Sequence, residues 1–127
     1  MGRVGLLFAC SLILSGLLVA LGGEKVPPEK EAAVKKAIQD YIKQDQGLKG
    51  SFLIKDEQAG TIRELTFDYV HDGVSKTGEG RYVACVDFKQ SQKVLDLDFY
   101  VQPSPSGELR VSEIVIHRID GKEVTKK

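Results

Sequence analysis

The sequence lacks an excess of charge of either sign. Its 127 residues hold eighteen Lys and Arg against eighteen Asp and Glu, so the formal charge is zero. A nucleic-acid binder presents a basic face and a membrane-surface protein a cationic one. Nucleic acid is therefore excluded from the expected partners, and a membrane enters only through the N-terminal segment. Cysteine is scarce as well, with Cys10 and Cys85 alone. Catalytic signatures are missing too. There is no HxxxH, CxxC or DxDxDG spacing, and Gly73, Gly78 and Gly80 do not form the phosphate-cradling GxxxxGK pattern. No internal repeat or low-complexity run is present. No cofactor is implied, and no activity is legible in the residues.

What is there begins with the N-terminus. Arg3 supplies a positive charge, Val4 to Leu21 carries none, and Ala20-Leu21-Gly22 places small residues around a cut after Gly22. This is the pattern of a secretory signal peptide. Its length also reaches the lower limit for an uncleaved membrane anchor. Leu7-Phe8-Ala9-Cys10 resembles a lipobox, although the apolar run before it is short. The expected organisation is a signal peptide or anchor over residues 1–22, a linker over 23–28 and a single domain over 29–127. The expected location is exported, periplasmic or secreted. Loss of the leader removes Cys10 and leaves Cys85 as a free thiol, so the fold must stand on its core.

In EKEAAVKKAIQDYIKQDQG, the residues Val34, Ala37, Ile38, Tyr41 and Ile42 form one apolar helical stripe. Pro28, Glu29 and Glu31 suit its start and Gly47 its end. Everything after Gly50 reads as β structure. In residues 62–70, Leu65, Phe67 and Tyr69 share a face by alternation. HDGVSKTGEG reads as a loop. Tyr82, Ala84, Val86 and Phe88 oppose Leu95, Leu97, Phe99 and Val101 across a hairpin, and residues 109–119 are apolar on both faces. Asp120-Gly121 is a tight-turn signal with a short return through Val124. The predicted fold is α+β: one N-terminal amphipathic helix on a curved antiparallel sheet of four to five strands.

This order of elements resembles the cystatin-like and nuclear-transport-factor-like folds. Gln92-Lys93-Val94 resembles the start of the cystatin inhibitory loop, Gln-x-Val-x-Gly. Asp96 stands where the loop has Gly, and no Pro-Trp pair follows, which argues against protease inhibition by that route. YVACVDF, LDLDFYV and VSEIVIHRIDGK are also similar to small uncharacterised exported bacterial proteins. That resemblance implies no function.

Strand parity sets the other face of the hairpin. Matching the apolar rows places Asp87 opposite Asp96 and Cys85 opposite Asp98. Facing carboxylates repel. Asp87, Asp96 and Asp98, with His71 or His117, are thus a candidate cation site. The alternative is a solvated face neutralised by Arg81, Lys89, Arg110 or Arg118. Cys85 beside aspartates is discouraged from ionising, which argues against a catalytic nucleophile and for a half-buried structural residue. His71, Asp72 and His117 are candidate ligand or loop-site residues, with His71-Asp72 open as an acid–base pair.

Two functions follow as expectations. One is a non-enzymatic envelope module that binds a protein, a small molecule or a second copy of itself. The other is a ligand-binding or enzymatic cone, with Tyr41, Tyr69 and Tyr82 lining a pocket between helix and sheet.

Overall fold

A computed structural model describes residues 24–124. The leader, with its cleavage, anchor and lipidation readings, lies outside the described residues. The helix α1 (Pro28–Lys49) starts on a proline whose missing N–H costs nothing at that position, with Glu29 and Glu31 in its first turn. Val34, Ile38 and Ile42, spaced by four, form its buried stripe. It ends at Gly50 rather than Gly47. Gly50 has φ 87°, and its N–H donates to the Gln46 carbonyl at 2.8 Å. No helix among the described residues is long and apolar enough to cross a membrane.

The strands are β1 (Glu24–Lys25), β2 (Phe52–Asp56), β3 (Thr61–Val70), β4 (Ser75–Lys76), β5 (Tyr82–Gln90), β6 (Lys93–Pro103), β7 (Leu109–Ile119) and β8 (Lys122–Glu123). All pairings are antiparallel. β5 is flanked by β6 on one side. Its other edge is shared, with β3 beside Val86–Lys89 and β4 beside Tyr82–Val83. The result is α+β, one helix on a curled antiparallel sheet.

Two expectations need correction. The sheet has eight strands, not four to five, and the helix is not N-terminal, because β1 precedes it. The additional strands β1, β4 and β8 have two residues each, too few to show a period of two. β4 also sits inside the stretch expected to be a loop. That stretch is anchored: Val74 is buried in the core, Lys35 of the helix pairs with Asp72, and Glu31 accepts from the Gly73 N–H at 3.4 Å.

The core lies between α1 and one face of the sheet. Phe52, Phe88 and Phe99 are fully buried and stack, with Phe52 and Phe88 ring centroids 4.7 Å apart. The β5–β6 register is Phe88 to Leu95, Val86 to Leu97, Ala84 to Phe99 and Tyr82 to Val101, as alternation indicates.

Three register shifts break the alternation elsewhere. In β3, Phe67 faces Phe88 but Tyr69 faces Asp87, leaving Asp68 unmatched. Val70 then takes the core position, and Tyr69 turns to the outer face, 47% exposed. In β7, Ser112 and His117 are the unmatched residues. The β7 residues packed on the core are consequently Leu109, Val111, Ile114, Ile116 and Ile119, a spacing of two, three, two and three. Each bulge adds one residue and lets two neighbours share a face.

Candidate functional site

The outer face of the sheet carries a cluster of ionisable residues. Cys85 pairs with Asp98 and Asp87 with Asp96 across β5 and β6. On β7, the bulge at His117 lets both His117 and Arg118 reach this face, whereas strict alternation would give it only one of them. The two-residue turn at Asp120-Gly121, with φ 51° and 77°, sends β8 back along β7 and sets Glu123 opposite Arg118. From the other side, the His71 N–H donates to the Cys85 carbonyl at 2.9 Å, extending the β3–β5 ladder as far as His71.

Cys85, Asp96, Asp98, His117, Arg118 and His71 line an open cleft of about 420 Å³. The Cys85 thiol donates to Asp98 Oδ1 at 3.4 Å. His117 Nδ1 lies 3.4 Å from Asp98 Oδ2 without making a hydrogen bond, and its Nε2 lies 3.7 Å from Glu123 Oε1. Arg118 Nη1 donates to Asp96 Oδ2 at 3.4 Å, and His71 Nε2 sits 2.9 Å from Asp87 Oδ1. The carboxylate opposition at Asp87 and Asp96 is thus met by one guanidinium and one imidazole. Asp96 Oδ1 and His117 Nδ1 are both buried with no hydrogen-bond partner. Such orphaned atoms carry a desolvation cost that a ligand would relieve. One donor atom from each of Cys85, Asp96, Asp98 and His117 lies within 4.8 Å of all the others.

The electrostatics follow from this crowding. Burial, then the charges of Asp96 and Asp98, push the Cys85 thiol up to about 12, so it is protonated at neutral pH. Burial and the neighbouring Asp98 also raise the Asp96 carboxyl above its ordinary range.

Of the sequence-predicted residues, the cleft gathers Cys85, Asp96, Asp98, His117 and His71, with Asp87 beside them on His71. Asp72 lines its edge but is committed to Lys35, so His71-Asp72 is not an acid–base pair; the carboxylate on His71 is Asp87. Among the basic candidates only Arg118 reaches the facing aspartates. Arg81 bonds Glu113 at 2.8 Å and lies over the Tyr100 ring, Lys89 is 3.9 Å from Asp68, and Arg110 is 3.7 Å from Glu108. Glu123 is the residue sequence reasoning missed. Its signal was the Asp-Gly turn, since a two-residue hairpin fixes which residues face each other. Compared with known protein families, curated proteins and solved structures, the chain matches none of them.

Proposed function

We propose that the protein is an exported, non-enzymatic binding module whose ligand is a cation, taken up in the outer-face cleft. The observation that carries this reading is the pair of buried, unpartnered atoms, Asp96 Oδ1 and His117 Nδ1, in a cleft where Asp72, Asp96 and Asp98 meet a single guanidinium, Arg118, and two imidazoles. A cation satisfies both atoms and offsets the crowding of the Asp96 and Asp98 carboxylates at once. The protonated thiol supports a binding role over nucleophilic catalysis. The reading as a cone with an internal pocket draws less support. Tyr69 lies on the outer face, and Phe52, Phe88 and Phe99 stack in the space between helix and sheet. A cystatin-like or nuclear-transport-factor-like topology remains part of the proposal, since one helix on a curled antiparallel sheet is compatible with it; it brings no activity.

The test is a backbone amide NMR titration with zinc, calcium, magnesium, methylammonium and guanidinium chlorides. Shifts centred on Cys85, Asp96, Asp98 and His117 for at least one cation are expected. Shifts confined to the helix side, or none with any cation, contradict the proposal.

A further inference from the structure

Resting on that reading of the cleft, we infer that its cation is a borderline-soft divalent transition metal of the zinc class. Its ligands are Cys85 Sγ, Asp96 Oδ1, one Asp98 carboxylate oxygen and His117 Nδ1. The donor set selects the ion. Calcium and magnesium take oxygen ligands almost exclusively, whereas a sulfur, a nitrogen and two oxygens suit a tetrahedral zinc-like ion. Tetrahedral bonds of about 2.0–2.3 Å put donors roughly 3.3–3.8 Å apart. One donor atom from each of the four residues already lies within 4.8 Å of the other three, about 1 Å beyond the tetrahedral spacing.

The surroundings are arranged as an outer shell. Asp96 Oδ2 is held by Arg118, which leaves Oδ1 as the free atom. His117 Nε2 lies 3.7 Å from Glu123 Oε1, near enough for a rotation of the exposed Glu123 to bring its carboxylate onto Nε2–H and leave Nδ1 to the ion. A carboxylate behind a ligating imidazole is the usual support of a zinc-bound histidine. The thiolate and two carboxylates bring three negative charges against the ion's two positive ones, and Arg118 supplies the remaining positive charge. Three ligands stand on the β5–β6 hairpin and the fourth on the β7 bulge, so the geometry is set by strands. As the metal–sulfur bond forms, the Cys85 proton passes to solvent; nothing is oxidised or reduced.

Cobalt(II) is the probe, added alone to the purified protein. One equivalent is expected to give tetrahedral visible bands and a sulfur-to-cobalt charge-transfer band, both lost on adding zinc. Cys85→Ser should lose the charge-transfer band. Glu123→Gln should keep it with affinity lowered about 10–100-fold. Where Cys85→Ser does not fold, alkylation of the native thiol at alkaline pH serves instead. Zinc is expected to protect it, and equal rates with and without zinc overturn the assignment. A charge-transfer band that persists in folded Cys85→Ser also overturns it. Calcium, magnesium or ammonium shifts at the cleft without cobalt colour overturn the metal class and leave the cation reading standing. No response to any cation overturns both.

Discussion

Asp56 is the one charged residue fully buried among the described residues, at 4% exposure. Its Oδ2 accepts from Arg63 Nε at 2.7 Å, and its Oδ1 accepts from the backbone N–H groups of Gln58 and Ala59 at 3.1 Å. The Arg63 hydrogen bond leads in holding this carboxyl below its usual range. A carboxyl lowered in the native state stabilises the fold above the unfolded value, near pH 4. That contribution fades as the pH falls through the lower native value. Asp56→Ala is expected to cost about 3 kcal/mol in urea unfolding at pH 7, because it removes the carboxylate from Arg63, which keeps only Gln90, and strands two N–H groups. It should also flatten the acid limb of the stability profile. Asp96 has the opposite sign. Its Oδ1 lacks a partner and it faces Asp87, while its one ion pair is long and reaches a half-exposed Arg118. Repulsion and desolvation outweigh that pair, so Asp96→Asn should stabilise the metal-free protein by about 1 kcal/mol. A side chain that weakens the fold where it stands is the signature of a site kept for binding. A loss of stability in that variant would mark Asp96 as structural.

At the scale of elements, the helix and the β5–β6 hairpin were legible because their periods are uninterrupted. Val34, Ile38 and Ile42 sit one turn apart, and nine consecutive residue pairs from Tyr82–Val101 to Gln90–Lys93 keep register. That register already placed Cys85 on Asp98 and Asp87 on Asp96, so half of the site could be read from alternation alone. β3 and β7 could not be read in this way. A bulge has no marker residue here: Asp68, Ser112 and His117 are ordinary strand-surface residues, and only the three-dimensional register shows them as extra. Strict alternation puts His117 in one row with Val115 and Ile119, yet Ile119 packs on the core and His117 reaches the cleft. The helix end is testable at this scale. Gly50→Ala forces a Cβ into the left-handed region at φ 87°, where the surroundings are open, so the cost is backbone strain without a clash. About 1 kcal/mol of destabilisation is expected in denaturant unfolding, with no change in any cobalt spectrum.

For the whole molecule, one face of the sheet is spent on α1 and the other is left to present the cleft. The fold does not depend on a metal as a zinc finger does, since fourteen buried apolar residues among the described ones form a core on the opposite side from the ligands. A chelator should therefore lower the thermal midpoint of zinc-loaded protein yet leave the far-UV circular dichroism native. Loss of the native spectrum on chelation would contradict a core-supported fold. The occupant of the outer face is decided most directly by crystals grown with one equivalent of zinc and measured across the zinc absorption edge. One anomalous peak is expected, about 2.0–2.3 Å from Cys85 Sγ, His117 Nδ1 and carboxylate oxygens of Asp96 and Asp98. A map with no peak there, and Cys85 still hydrogen-bonded to Asp98, would contradict it.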